Sequence, residues 1–264
     1  MKRRAEEGEV LFGLHPVLEA IEAGRRTVDR VLVAREEGGR SLGRLLRAAR
    51  EAGIPVTHLP KTVLARKAGR EALHQGVAAW VSPVAYAQPE DLVAAAVRGR
   101  GLLVVLDGIE DPRNLGAILR TAAAAGADGV LLGVESTVGL TPLVAKTAAG
   151  ALDRISVARE PKLGARLSEL KARGFHLVAL DPRGTTAWSG AALGGPVVLV
   201  AGGEGRGLRR GLLDAADERV ALPLAAGVES LNVSVAVGIV LYEVLRQRAN
   251  PEKSENAPRR LERP

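Results

Sequence analysis

Arg120 stands in a run that is otherwise apolar or small, Leu115 to Ala125, and Asn114 lies six residues before it at the start of the same predicted helix. A guanidinium held among small residues can be aimed at an anion or at developing oxyanion charge. A second segment, VVLVAGGEGRGL (197–208), reads as a buried strand running into four glycines with Glu204 among them. Glycines after a strand let the backbone approach a ligand closely. A third, LPLAAGVESLNVSVAVGIVLYEVLRQR (222–248), places Ser230, Asn232 and Ser234 alternately with Leu231, Val233 and Val235 at the entry of an apolar helix.

Plainer readings stand beside these. Asparagine at a helix start ordinarily caps it, and an arginine on an alanine-rich helix can simply face solvent. Serines at a helix entry also cap, although three alternating polar residues exceed what a cap requires. The glycines do not form a dinucleotide fingerprint, because Gly203, Gly205 and Gly207 are spaced G-x-G-x-G rather than G-x-G-x-x-G. Glu204 would repel a pyrophosphate; it suits a ligand with positive charge, such as a sulfonium, or a substrate-binding arginine. The histidines at 15, 58, 74 and 176 are scattered, so no metal site is expected.

The elements that position these residues alternate. In the first third, helix 15–24, strand 28–34, a helix from Ser41 as cap to Gly53, strand 55–60, helix 61–69 and strand 76–83 make a small α/β module. Residues 84–92 carry a proline and little periodicity and are expected to be a linker. Strand 101–109, helix 114–126, strand 129–133, helix 141–152 with Thr141 as cap, and further strands at 154–159, 176–182, 196–203 and 219–224 follow, with helices at 163–174, 208–215 and 231–248. Such alternation implies a parallel sheet covered on both faces. The domain expectation is therefore 10–83, then 93–250, then an aperiodic, disordered tail at 251–264.

Composition narrows the function. Hydrophobic residues are 47% of the 264, enough for a sizeable core, and no run approaches the ~18 apolar residues of a membrane helix. The start of the chain does not read as a signal peptide. The absence of cysteine excludes disulfides, zinc–thiolate sites and thiol catalysis, and fits a cytoplasmic protein. Residues 1–82 carry 15 lysines and arginines against 10 acids, whereas 83–250 carry 18 against 17. A basic module beside a near-neutral one points to polyanion docking by the first and chemistry by the second, although a solubility surface would look the same. With aromatics at 2%, RNA would be met through its backbone and shape rather than by stacking.

Taken in order, the three segments resemble the three motifs of the SpoU (TrmH-type) RNA 2′-O-methyltransferases of the knotted SPOUT class: N-x-G-x-x-x-R at 114–120, G-x-E-x-x-G at 202–207 and S-L-N-V-S-V-A at 230–236. GLHPVLEAI (13–21) and HQGVAAWV (74–81) are similar to the bacterial enzymes that methylate a guanosine of 23S rRNA, the RlmB type. The resemblance implies an α/β fold: a C-terminal parallel-sheet domain with a trefoil knot, preceded by a small α/β RNA-binding domain resembling ribosomal protein L30e. It implies S-adenosylmethionine, held bent by loops 201–207, 222–227 and 230–232 with contacts from Ala201, Gly202, Gly203, Gly205, Leu222, Leu224, Leu231 and Asn232. Asn114, Arg120, Glu204, Ser230 and Asn232 become the catalytic and substrate-binding set. Arg120 would orient the ribose–phosphate and stabilise alkoxide charge, a phosphate oxygen or Arg120 itself taking the proton. Ser230 and Asn232 would position Arg120 and the cofactor, and Glu204 would orient a partner arginine or structure its loop. A homodimer is implied, with both subunits completing each site. The competing readings are a tRNA or antibiotic-resistance rRNA 2′-O-methyltransferase, a non-catalytic RNA-binding protein on this fold and, more distantly, a nicotinamide dehydrogenase.

Overall fold

The structure, a computed structural model, describes residues 9–35, 37, 39–68, 76–135, 137–226, 228 and 230–250. The tail 251–264, Gly227 of the loop 222–227, and residues 74–75 of the 74–81 motif lie outside the described residues. The chain divides into two compact units, Met1–Ala85 with Leu140–Arg154, and Tyr86–Gly139 with Ile155–Pro264.

The first unit holds a four-stranded sheet in the order β1 (Glu9–Phe12), β4 (Val77–Val81), β2 (Val28–Ala34), β3 (Val56–Leu59). β4 is antiparallel to both neighbours, and β2 and β3 are parallel. Helices α1 (Leu14–Ala23) and α2 (Arg40–Glu51) bury Val17, Leu18, Leu42, Leu45 and Ala49 against Val31, Val33 and Ala79 of the sheet. α1 stops at Gly24, whose φ of 62° is the left-handed turn that glycine adopts without penalty. Ser41 does not cap α2; Gly39 holds that position and Ser41 is already helical. The strand β1 was not anticipated from sequence. α3 (Lys61–Ala68) follows β3. α6 (Pro142–Ala148) starts as expected, Thr141 Oγ1 accepting from the Val144 amide at 3.3 Å, but stops short at Ala149, and a 3-10 turn covers Ala151–Asp153. Arg26 and Asp153, both buried, pair at 2.7 Å across 127 residues of sequence.

The second unit is a seven-stranded sheet whose pairings are all parallel, in the order β7 (Val157–Glu160), β6 (Gly129–Gly133), β5 (Leu102–Asp107), β10 (Val197–Gly202), β8 (His176–Leu180), β11 (Glu218–Ala221), β9 (Thr186–Ala187). β5 and β10 are apolar and buried along nearly their whole length, as interior strands covered on both faces must be. The parallel α/β reading of the sequence therefore holds. α4 (Pro89–Arg98) begins inside the segment expected to be a linker, with Pro89 at its first position and Glu90 and Asp91 in its first turn. α7 (Leu163–Ala172) and α8 (Arg210–Ala215) pack against each other, and α5 (Pro112–Ala124) packs on α9 (Val233–Ala249). α5 begins two residues earlier than expected, because Asp111 caps it by accepting from the Arg113 amide at 2.7 Å. Asn114 is thereby freed from capping.

Candidate active site

Parallel pairing of β5 with β10 sets Gly202 opposite Asp107, so the loops leaving both strands emerge together at their carboxyl ends. They touch so closely that a Cβ on Gly203 would lie 2.0 Å from the Gly108 carbonyl oxygen, and one on Gly202 would lie 2.3 Å from the Gly207 carbonyl carbon. Only glycine fits at either position.

This approach delivers Glu204 to Asn114. Glu204 Oε1 accepts from Asn114 Nδ2 at 2.9 Å, from Asn232 Nδ2 at 2.8 Å and from the Val233 amide at 3.4 Å. Asn232 Nδ2 also donates to Asn114 Oδ1 at 2.9 Å. Asn232 caps α9 at the same time, its Oδ1 accepting from the Ser234 amide and hydroxyl at 2.9 and 2.5 Å. Residues from three distant segments thus form one triangle. Among the described residues, Glu204 Oε2 has no partner.

The glycine loop separates two clefts. The first, about 510 Å³, is walled by the loops after β8, β10 and β11 and by the start of α9. Gly203, Gly205, Leu222, Leu224 and Leu231 line it, as does Ser230. Of the other expected ligand-binding residues, Ala201 is buried within β10, and neither Gly202 nor Asn232 is in the lining. The sequence reading missed Asp181 and Arg183 beside the cleft, and Arg219 on β11. Their signal was present: a polar Asp-Pro-Arg-Gly turn directly after a buried strand, at the sheet end where ligands gather. The second cleft, about 520 Å³, is bounded by 107–111, Asn114, the same glycine loop and Arg209. There Arg209 grips the buried carboxylate of Asp107 with two parallel bonds of 2.8 and 2.9 Å and reaches Glu135 at 2.9 Å. Its bonds to Asp107 hold the guanidinium above the ordinary arginine range, against the opposing effect of burial. Arg206, exposed in the loop, borders both clefts.

Arg120 lines neither cleft. On α5, Leu115, Ile118, Leu119 and Ala122 turn inward, and Arg120 falls on the exposed strip, without a hydrogen bond or ion pair among the described residues. It neighbours Thr121 and lies one turn from Ala117. Those two residues join Val235, Gly238, Ile239 and Tyr242 in a shallow, mostly apolar groove between α5 and α9. Its apolar neighbours in sequence do not aim Arg120 at either cleft of its own chain: Leu115, Ile118, Leu119 and Ala122 form the buried face of α5, and Arg120 is on the exposed one. Ser230 likewise makes no bond to Asn232; Ser234 does. Among the described residues, no three His, Asp or Glu side chains converge as metal ligands, and no helix is long and apolar enough to cross a membrane.

A parallel α/β sheet with a three-segment polar cluster at its carboxyl edge defines a class of ligand-binding α/β proteins, and comparison with known proteins narrows it. Residues 101–242 match the SpoU rRNA Methylase family, and residues 10–87 match the module described as RNA 2′-O ribose methyltransferase substrate binding. An uncharacterised tRNA/rRNA methyltransferase of Mycobacterium ulcerans is 42% identical over 246 residues, covering 93% of this chain and 79% of its own. The SpoU methyltransferase AviRb of Streptomyces viridochromogenes, solved with AdoMet, superposes with a TM-score of 0.75 at 26% identity, over 94% of this chain and 93% of that one. An AdoMet-bound rRNA methyltransferase of Sinorhizobium meliloti gives 0.74 at 26% identity, over 91% and 88%. The chain belongs to the SpoU rRNA methylase family.

Proposed function

We propose that the protein is a homodimeric enzyme that transfers a methyl group from S-adenosylmethionine to the ribose 2′-oxygen of a guanosine in 23S rRNA. The observation that carries this reading is the Asn114–Glu204–Asn232 triangle, whose Glu204 lines the leucine-walled cleft. The cleft suits that cofactor. Its volume is in the range of small-molecule sites, leucines line one wall for an aromatic base, and Asp181 and Glu204 stand among Arg183, Arg206 and Arg219, so both signs of charge face a ligand that carries a sulfonium, an ammonium and a carboxylate. Glycines at 202 and 203, where a Cβ would strike neighbouring backbone, let the loop fold tightly along the cleft. When bound, S-adenosylmethionine supplies an activated methyl group on a sulfonium.

The chain's own residues hold and orient. Gly203, Gly205, Leu222, Leu224 and Leu231 shape the cofactor cleft, with Ala201 and Gly202 setting the loop from beneath. Three donors on Glu204 Oε1 fix the glycine loop and leave the carboxylate charge at the cleft rim. Asn232 and Ser230 sit at the entry to α9, where they position substrate against that rim. Arg120, exposed beside the α5–α9 groove, serves the cleft of the partner subunit across a dimer built on that groove. A guanidinium stays protonated; Arg120 therefore orients the ribose–phosphate and stabilises alkoxide charge, while a phosphate oxygen of the RNA takes the proton. The family resemblance brings a C-terminal trefoil knot and a cytoplasmic setting with it. The matched substrate-binding module, together with the rRNA methyltransferase of Sinorhizobium meliloti, whose match covers 91% of this chain, favours rRNA over tRNA.

Incubation with methyl-tritiated S-adenosylmethionine and unmodified 23S rRNA, 16S rRNA or bulk tRNA tests the substrate. Label in 23S rRNA alone is expected, and it should be lost in Arg120→Ala while cofactor binding persists. Label confined to tRNA would overturn the substrate and leave the chemistry standing.

A further inference from the structure

The polar face of α2 is dominated by arginine, with Glu51 the one acid on it. Arg40, Arg44, Arg47 and Arg50 are all exposed, and at 100° per residue they fall within about one third of the helix circumference. The opposite face buries Leu42, Leu45 and Ala49. A helix that merely meets solvent mixes its charges and pairs them at i,i+3 or i,i+4. α7 does so: Arg166 pairs with Glu169 at i,i+3, and Glu169 with Arg173 at i,i+4. α2 holds one acid, Glu51, and only Arg44 has a partner, Glu22 at 2.7 Å. Arg40, Arg47 and Arg50 make no hydrogen bond or ion pair among the described residues.

We propose that this arginine face of α2 is a docking surface for the sugar–phosphate backbone of folded rRNA. The proposal rests on the reading of the protein as an RNA methyltransferase and adds where the substrate is gripped. Four guanidiniums spread over about 15 Å of helix axis match several successive phosphates of a duplex strand, and each can bond a phosphate bidentately. The face carries no aromatic side chain, so it grips by charge and shape rather than by reading bases.

The test is filter binding of an unmodified 23S rRNA transcript to the full chain across a salt series. Wild type is compared with R40E/R47E/R50E, the milder R40Q/R47Q/R50Q, and a control, R98E/K146E/K162E, that reverses exposed cations elsewhere. Arg44 is left in place to keep its pair with Glu22. Both α2 variants are expected to raise Kd at least about tenfold and to flatten the slope of log K against log salt by about two to three, as loss of three phosphate contacts implies. The control and the thermal midpoint should hold. An α2 variant that binds like wild type, a control that weakens equally, or a wild-type chain that does not bind the transcript would each overturn the docking surface. Wild type that binds tightly through α2 but transfers no methyl group would instead overturn the enzymatic reading. If R40E/R47E/R50E lowers the thermal midpoint, R40Q/R47Q/R50Q decides by the same criterion.

Discussion

Glu204 Oε1 ties together residues 90 and 28 positions away in sequence, and each amide of the triangle has a donor or acceptor that the others answer. Such an arrangement is sensitive to charge more than to size. Asn232→Asp keeps the shape but sets a second carboxylate within hydrogen-bond distance of Glu204, and like charges so close raise the pKa of the pair. At neutral pH the two repel; as pH falls the pair takes up a proton and a donor is restored. The ratio of variant to wild-type single-turnover rate should therefore rise as pH is lowered from 8 to about 5. A ratio that does not move with pH would mean that the Asn232–Glu204 contact does not govern activity. None of this triangle was legible from spacing. Sequence showed polar residues in apolar surroundings, and only the family motifs grouped them; the cap reading of Asn114 failed because Asp111, three residues earlier, takes the cap.

At the scale of elements, legibility followed burial. Strands 129–133 and 197–202 and most of 102–107 are unbroken apolar runs, so a buried parallel sheet was readable directly. Short or edge pieces were not. β9 has two residues, β1 is a four-residue edge strand, and α4 was hidden because Pro89 was weighed as a breaker when it stood at the first turn. α9 shows a feature that only packing reveals. Its Glu243 is buried, accepts from Arg246 at 2.6 and 2.7 Å and from Gln247 at 2.9 Å, and Gln247 in turn holds the Ala191 carbonyl and the Leu193 amide. Burial pushes the Glu243 carboxyl up, but the bonds from Arg246 and Gln247 prevail and hold it below its ordinary value. A depressed folded-state pKa stabilises above the unfolded value and is lost as pH falls through the depressed one. Melting curves should show Glu243→Gln less stable than wild type at pH 7, with the gap closing below about pH 4; a gap constant with pH would contradict this.

Across the whole molecule, Arg120 and the cleft proposed for the cofactor do not meet within one chain. The α5–α9 groove beside Arg120 exposes Val235 and Tyr242 to 49% and 56%, large values for apolar surface on adjoining helices. The proposed dimer on that groove predicts that Tyr242→Glu runs as a monomer in light-scattering chromatography. The substitution should abolish methyl transfer yet leave the melting transition of each unit in place; a monomeric variant with full activity would place Arg120 outside the reaction. The charge split read from composition also finds a structural counterpart, since the arginine-faced α2 lies in the basic N-terminal unit. The packing of residues 140–154 with that unit, through Arg26 and Asp153, could not be foreseen, because nothing local marks a contact across 127 residues.

The proposed reaction acts on one atom, the ribose 2′-oxygen. The most direct test digests 23S rRNA to nucleosides after reaction with methyl-labelled S-adenosylmethionine and separates them by chromatography with mass spectrometry. Label is expected in 2′-O-methylguanosine alone, and none after reaction with Arg120→Ala. Label on a guanine base, or on another ribose-methylated nucleoside with no trace of 2′-O-methylguanosine, would contradict the proposed reaction.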